Sequence, residues 1–192
     1  SFGSRVWEAV DEGVITENEA ALMVRSLVGA GVDTTIFALG ICLHLLLDSP
    51  DQYARLHEQP AVGKFAFDEA LRWGAPVRHL WRTPAADTEI DGIPVREGQK
   101  MMLVLGAANH DPQRWGPTAD EFDMSRDTGG HIAMGRGIHA CIGAPIARLE
   151  ADVLLATFAR RVKSIERTGE SVPLLNNTLR GYTAIPMRIV PA

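Results

Sequence analysis

The chain has 192 residues, of which 46% are hydrophobic, and its 19 basic and 24 acidic residues give a net charge of -5. This apolar content is enough for one sizeable core. The acidic balance argues against nucleic-acid binding, because neutralising phosphates requires clustered Lys and Arg. Cys42 and Cys141 are far apart and form no CxxC pair, which argues against a zinc site or a disulfide framework. We therefore expect free thiols and a cytoplasmic protein.

The sequence also predicts no membrane association. The longest continuous apolar run, Ile36 to Leu47, contains His44 and is shorter than a bilayer-spanning helix. The chain begins with Ser1-Phe2-Gly3 and has no segment that resembles a signal or transit peptide. We interpret residues 1–192 as a single partial domain of a longer protein.

Three helices are predicted in the first part of the chain. Thr16-Glu17-Asn18-Glu19 has the form of a capping box, and the apolar stretch from Ala20 to Leu47 predicts a long core helix after it. A second helix is expected to begin at Pro50, with Ser49 as its cap, and to end near Gln59-Pro60. A third helix is predicted over Val62 to Trp73.

The following residues alternate between strands, loop and helix. Trp81 to Leu105 predicts a small sheet, with tight turns at Asp91-Gly92 and Glu97-Gly98. Asn109 to Gly130 is rich in Asp, Pro and Gly and predicts a long irregular loop, which is usually functional. Another helix follows Cys141, and Ser164 to Ala192 predicts strands and turns. The expected fold class is mainly α with small β-sheets.

The most informative segment is Met134 to Gly143, which reads Met-Gly-Arg-Gly-Ile-His-Ala-Cys-Ile-Gly. Three glycines around Cys141 allow the backbone to approach a flat cofactor where side chains would collide. The cysteine directly precedes a predicted helix, whose N–H groups and dipole favour a thiolate. A buried cysteine that packs as a small hydrophobic residue is the common alternative. The glycine spacing favours a thiolate that binds iron.

This segment resembles the haem-binding loop of the cytochrome P450 family, Phe-Gly-x-Gly-x-His-x-Cys-x-Gly. The resemblance implies the C-terminal half of that fold, haem b (iron protoporphyrin IX) as the cofactor and Cys141 as the iron ligand, with Gly135 and Gly143 beside the haem. His139 corresponds to a residue that bonds a haem propionate. Met134 replaces the Phe that packs on the proximal face of the haem, so we expect altered tuning of the iron without loss of ligation.

A second motif lies in the long helix, where Ala30-Gly31-Val32-Asp33-Thr34-Thr35 places an acid and an alcohol among apolar residues. Polar groups are costly there unless they are satisfied or used. Thr34 can donate to the Ala30 carbonyl and so bend or open the helix. Asp33 and Thr34 could simply bond to each other or to buried water. The segment also resembles the family's oxygen-binding groove, which implies that Ala30 and Gly31 contact the haem while Asp33 and Thr34 deliver protons.

Glu69-Ala70-Leu71-Arg72 matches the family's Glu-x-x-Arg pair, a charge-assisted contact that locks its helix to the loop before the cysteine. The bare pattern is common on surface helices. The family's third partner is an arginine within Pro-Glu-Arg-Phe, but Glu121 occupies that place here. We expect Arg114 or Arg126 to compensate.

Other arginines have two interpretations each. Arg82 matches the position that binds the second haem propionate, although a solvated surface arginine is an equal alternative. A basic patch near the cysteine could bind an acidic electron-donor protein, and a solvated face is again equally expected. The residues of this patch would be Arg136, Arg148, Arg160 and Arg161.

The resemblance implies a monooxygenase that inserts one atom of O2 into a small organic substrate, with electrons from NAD(P)H through a reductase and a ferredoxin. The chain also resembles bacterial members that oxidise para-substituted benzoates, where an Arg-Ser pair helps to hold the carboxylate. Gly29 replaces a second serine of those members. The implied substrate residues are Arg25, Ser26, Val77, Leu80 and Leu179.

Two other functions stay open. A haem-binding sensor without turnover has no need of an acid and an alcohol above the iron, so Asp33 and Thr34 favour the enzyme. The second is an inactive truncated chain. The motifs cover about half of a full family member, and the remainder would form the opposite haem wall and much of the substrate pocket.

Overall fold

The computed structural model describes residues 1–192, which form seven α-helices and eight short strands. The helices are α1 (Phe2–Asp11), α2 (Glu17–Asp48), α3 (Pro50–Glu58), α4 (Gly63–Gly74), α5 (Leu105–Asn109), α6 (Pro112–Trp115) and α7 (Ala144–Arg161). The strands are β1 (His79–Arg82), β2 (Thr88–Ile90), β3 (Ile93–Val95), β4 (Met101–Val104), β5 (Val162–Arg167), β6 (Val172–Pro173), β7 (Tyr182–Ala184) and β8 (Met187–Pro191). Two short 3-10 helices cover Pro60–Val62 and Gly137–His139.

The predicted capping box begins α2 as expected. The Thr16 hydroxyl accepts from the Glu19 N–H at 3.2 Å, and the Glu19 carboxylate accepts from the Thr16 N–H at 2.8 Å. The helix is continuous through Thr34, so the expected opening does not interrupt it. The predicted second and third helices match α3 and α4, although Ser49 precedes α3 without a side-chain cap bond.

Helix α1 was not predicted. Its N-cap is Ser1, whose hydroxyl accepts from the Ser4 N–H at 3.2 Å. Val6 is its one buried side chain, although Phe2, Val6 and Val10 recur at the four-residue spacing typical of a helix.

The core lies where the C-terminal half of α2 packs against α3, α4 and α7. Its buried cluster includes Ile41 and Leu46 of α2, Phe67 of α4 and Leu155 of α7. The α2–α4 contact is close at Gly74, where an added Cβ would lie 2.6 Å from the Ile41 Cγ2. A methyl group therefore does not fit between these helices.

The strands form four separate antiparallel pairs, β1–β4, β2–β3, β5–β8 and β6–β7. The single small sheet predicted over Trp81 to Leu105 is therefore wrong in detail, because that region contains two two-stranded ribbons. Its predicted turn at Asp91-Gly92 is confirmed, since both residues have positive φ, as a tight hairpin turn requires. Val77 and Leu179 form an isolated antiparallel bridge that joins the chain before β1 to the segment before β7.

Helix α2 is long and apolar enough, by length and composition alone, to cross a membrane. The prediction that no segment is long enough to span a membrane considered only the continuous apolar run Ile36 to Leu47. The apolar residues of α2 extend well beyond that run. The core helix of a soluble protein meets the same criteria. Composition does not separate the two cases.

Candidate haem site

The loop that carries Cys141 is folded back on itself by two backbone bonds. The Cys141 N–H donates to the Met134 carbonyl at 2.8 Å, and the Gly135 N–H donates to the Ile132 carbonyl at 3.0 Å. Gly135 has φ +70°, and a Cβ there would collide with the carbonyl oxygen of His139. Glycine is therefore required at this position for both conformational and steric reasons.

The two cysteines have opposite environments. Cys42 is buried in the core, and burial raises the pKa of its thiol to about 12. Cys141 is exposed, three residues before the start of α7. The Ala144 N–H donates to the Cys141 carbonyl, and the Ile146 N–H donates to Gly143. The N–H groups of Ala144 and Ile146 in the first turn of α7 are therefore bonded to backbone carbonyls of the cysteine loop.

The loop suits a metal ion whose other ligands come from a cofactor and not from the protein. No group of three or more His, Cys, Asp or Glu side chains is placed to hold a bare ion. Cys141 offers one soft ligand, and its neighbours Ile138 and Ile142 are 98% and 76% exposed. An exposed thiol between exposed apolar side chains suits the face of a flat macrocycle such as haem. Gly135 allows the loop backbone to approach that face. Met134 is half-buried and packs against the protein core.

The predicted polar motif of α2 is present with the expected local bond. The Thr34 Oγ1 donates to the Ala30 carbonyl at 2.6 Å, and Ser26 donates similarly to Leu22 at 2.7 Å. Asp33 is exposed, and a Cβ added at Gly31 would meet no atom within 4 Å. Ser26, Ala30 and Asp33 follow one another at intervals of four and three residues, so they share a helix face.

Two of the predicted substrate residues, Val77 and Leu179, lie near this face of α2. Val77 pairs with Leu179, and an added Cβ at Gly181 would lie 2.5 Å from the Phe37 ring. Phe37 is one helical turn after Asp33, so the Leu179 segment packs beside the polar motif. Leu80 is on β1 opposite Leu103. Arg25 is exposed near the start of α2.

The two predicted propionate ligands make no long-range side-chain bonds. Arg82 donates to the carbonyl of its neighbour Trp81 at 2.9 Å. His139 is exposed in the 3-10 helix before Cys141. Their roles remain predictions.

The Glu-x-x-Arg pair is fully buried and is the centre of a polar network. Glu69 accepts two bonds from Arg72, at 2.7 and 2.9 Å, and one from Arg126 Nε at 3.1 Å. Arg126 is therefore the third partner, while Arg114 donates to the Gly129 carbonyl instead. Glu121 contributes its backbone carbonyl to Arg72, so its exposed side chain does not disturb the network.

The predicted four-residue basic patch is divided. Arg136 and Arg148 line a cavity beside Cys141. Arg160 and Arg161 lie at the other end of α7, roughly 18 Å further along the helix at its standard rise per residue. Arg148 also pairs with Asp68 at 3.0 Å. The four arginines therefore do not form one surface.

Three residues near this cavity were missed by sequence reasoning. Asp68 accepts from Arg148 and lies 3.8 Å from the His131 Nε2. Burial alone would raise the pKa of Asp68, but the nearby His131 and the pairing with Arg148 outweigh it and lower the pKa. Asn109 accepts from the Ile132 N–H at 3.0 Å. Sequence offers only a weak signal for these contacts, a polar cluster at Asn109-His110-Asp111, because the partners are distant along the chain.

Comparison with known proteins agrees with this geometry. The family model for cytochrome P450 matches residues 64–188. Cytochrome P450 CYP199A2 of Rhodopseudomonas palustris is 42% identical over 191 residues, which cover 100% of this chain and 46% of that protein. The 6-deoxyerythronolide B hydroxylase of Saccharopolyspora erythraea is 32% identical over 182 residues, or 93% of this chain and 45% of that protein.

Solved structures give the same result. The P450 monooxygenase TamI, in its tirandamycin C-bound structure, superimposes with a TM-score of 0.91 at 30% identity, covering 97% of this chain and 48% of that one. The chain belongs to the cytochrome P450 family, and its fold is mainly helical with small sheets, as predicted. Members of this family hold haem b through a cysteine thiolate. The chain spans about half the length of the curated relatives it matches.

Proposed function

We propose that the protein is a haem-thiolate monooxygenase that inserts one oxygen atom from O2 into a small organic substrate. The observation that carries this proposal is the exposed Cys141 on a loop that only Gly135 allows to fold so tightly. Haem ligated by a thiolate supplies the chemistry that cleaves the O–O bond. In this proposal Cys141 ligates the iron, Gly135 and Gly143 keep the backbone close to the haem, and Met134 supports the loop from the core.

The roles of the other site residues follow from their places in the fold. His139 and Arg82 each offer a side chain that makes no long-range bond, which suits them to the two propionates. Ala30 and Gly31 present a small-residue surface on α2. Asp33 relays protons through its carboxylate, while Thr34, whose hydroxyl bonds to the Ala30 carbonyl, positions that hydroxyl next to the same surface.

The remaining inferences concern the whole protein. Electrons come from NAD(P)H through a reductase and a ferredoxin, and the protein works in the cytoplasm. We also infer that residues 1–192 pack as one domain, because a single buried cluster joins residues from Ala38 to Val162. A sensor without turnover is less well supported, since it gives no use to Asp33.

The ligand assignment is tested with the full-length protein, reduced and exposed to carbon monoxide. We expect the red-shifted Soret band typical of thiolate-ligated haem in the parent and no such band in Cys141→His. Cys42→Ala is the matched control, because that cysteine lies in the core, and it should keep the band. A parent without the band, or a Cys141→His variant that retains it, contradicts the assignment.

The enzyme and the sensor are separated by the fate of oxygen in Thr34→Ala. NADH consumption should continue in this variant while product falls and hydrogen peroxide rises, because the hydroxyl that directs the proton is gone. Thr35→Ala makes the same change one residue later, where no side-chain bond is lost, and should stay coupled. Asp33→Asn should instead slow oxygen consumption by about a hundred-fold, since an amide cannot relay protons. Full coupling in Thr34→Ala rules out this role.

For the substrate we infer a para-substituted aromatic acid. Arg25 is exposed near the start of α2, and a guanidinium is well suited to bind a carboxylate. Ser26 lies on the same helix face as Asp33, and Val77, Leu80 and Leu179 provide apolar contacts. Substituted benzoates should shift the ferric haem spectrum towards high spin, and Arg25→Ala should weaken this response. Equal responses to an acid and its methyl ester would argue against carboxylate recognition.

A further inference from the structure

The side chain of Asn109 connects the loop before Cys141 to the buried centre of the molecule. Asn109 lies at the end of α5 and is 1% exposed. Its Oδ1 accepts from the Ile132 N–H at 3.0 Å, and its backbone carbonyl accepts from the Arg72 Nη1 at 2.6 Å. Asn109 therefore contacts the Glu69–Arg72 pair with its backbone and the cysteine loop with its side chain.

A short series of hydrogen bonds then leads from Ile132 to the cysteine. The Ile132 carbonyl accepts from the Gly135 N–H at 3.0 Å, which closes the turn that requires a left-handed Gly135. The Met134 carbonyl accepts from the Cys141 N–H at 2.8 Å. The position of Ile132 thus sets the turn, and the turn sets the backbone of Cys141.

We propose that Asn109 is a positioning residue that fixes the haem loop to the buried Glu69–Arg72 pair. The proposal rests on the proposed role of Cys141 as the haem ligand. An apolar side chain at position 109 would leave the half-buried Ile132 N–H without its acceptor, which is costly. The loop would then sample other conformations, and the thiolate would be lost from the iron more often.

A conservative change can separate this role from simple packing. The Asn109 Nδ2 has no protein partner, so the acceptor Oδ1 is the functional half of the amide. Asn109→Asp keeps that acceptor. Arg72, which donates to the Asn109 backbone carbonyl at 2.6 Å, is a cation close enough to offset part of the added negative charge.

The matched control is the adjacent residue. His110 bonds to the Trp73 carbonyl at 2.7 Å and to Asp120 at 2.8 Å, so it joins α4 to the segment after α6 and makes no bond to the haem loop. His110→Ala should lower stability without loosening the cysteine loop.

The experiment measures, in the full-length haem protein, how long the red-shifted carbon monoxide band persists before it converts to the thiolate-free form. Asn109→Ala should shorten this lifetime about ten-fold, as expected for one buried N–H left without an acceptor. Asn109→Asp and His110→Ala should stay close to the parent. In the haem-free protein, amide hydrogen exchange over residues 128–135 should accelerate in Asn109→Ala alone.

The possible results separate the role of Asn109 from the proposed haem ligation by Cys141. A parent without the band removes the proposed haem ligation itself. A parent with the band and an Asn109→Ala variant of equal lifetime overturns the positioning role, as does equal damage by Asn109→Asp and Asn109→Ala. If Asn109→Ala yields no folded protein, exchange in the haem-free parent decides, because a rapidly exchanging Ile132 amide contradicts the proposal.

Discussion

The two halves of α2 are both apolar but have opposite environments. The C-terminal half is buried and includes Ala38, Ile41, Cys42, Leu45, Leu46 and Leu47. The part of α2 before Ala38 exposes Val28, Val32 and Ile36 and carries Asp33 and Thr34. Composition alone therefore does not show which apolar surface forms the core and which stays exposed. Asp33 and Thr34 lie in the exposed part, whereas the polar residues of the packed part, His44 and Asp48, lie near its C-terminal end.

Helix α7 shows the same contrast between buried and exposed apolar residues on its two faces. One face is buried and consists of small residues and one leucine: Ala147, Ala151, Leu155 and Ala159. The opposite face exposes Ile146, Leu149 and Val153, each more than 60% accessible. Both helices thus combine a packed surface with an exposed apolar one.

The largest difference between the buried core and the exposed surface is expected in the reactivity of the two thiols, Cys42 and Cys141. Burial raises the pKa of Cys42 to about 12, against about 8.5 for a free cysteine, so its thiolate is more than about a thousand-fold rarer near pH 8. An alkylating reagent should modify Cys141 of the haem-free protein and leave Cys42 intact until the protein is unfolded. Mass spectrometry of the labelled peptides measures both rates. Equal labelling of the two native thiols would contradict the structure.

The next largest effect concerns the buried ion pair. Arg72→Ala leaves Glu69 charged inside the protein with Arg126 as its one remaining cationic partner, and breaking a buried pair in this way costs about 3–5 kcal/mol. Arg148→Ala removes a partly exposed arginine from Asp68 and should cost less than about 1 kcal/mol. Denaturant unfolding of the two variants compares them. Similar losses would mean that the buried network does not carry the stability of the scaffold.

Glycine substitutions provide a smaller contrast between the two halves of α2. Gly74→Ala would push a methyl group into Ile41 of the packed half and should cost about 1–3 kcal/mol. Gly31→Ala in the other half meets no atom within 4 Å and should gain up to about 1 kcal/mol from helix propensity. Thermal unfolding of the haem-free protein measures both changes. A larger loss from Gly31→Ala would show that its surroundings are more crowded than in this structure.

Much of this molecule could be predicted from local sequence patterns. The capping box at Thr16, the helices around Pro50 and Glu69, and the bond from Thr34 to Ala30 depend on residues within four positions of one another. The choice of Arg126 over Arg114 and the contact between Asn109 and Ile132 could not be deduced, because they depend on how a long irregular segment folds onto α4. The division of the basic patch could not be predicted either, because it depends on the length of α7 between Arg148 and Arg160.

The smallest expected effect concerns pH and the packed half of α2. Burial lowers the pKa of His44 despite the opposing charge of Asp48, and Arg167 and Arg180 lower it further. Because the native pKa is depressed, the unfolded state binds the proton more tightly. The associated stability is present above about pH 6.5, the ordinary histidine value, and is lost as the pH falls through the native pKa.

His44→Gln isolates this contribution, since glutamine stays neutral at every pH. The imidazole Nδ1 lies 3.1 Å from the Ser171 hydroxyl, and the ring packs 4.2 Å from the Tyr182 ring centroid, so the substitution will also cost some packing at all pH values. The informative quantity is therefore the change in denaturant midpoint between pH 8 and pH 5, compared between parent and variant. The parent should lose more stability than the variant over this interval. Identical losses would mean that His44 is solvated enough to protonate in the native state, and the packed half of α2 would then be less tightly closed at its C-terminal end than its buried leucines indicate.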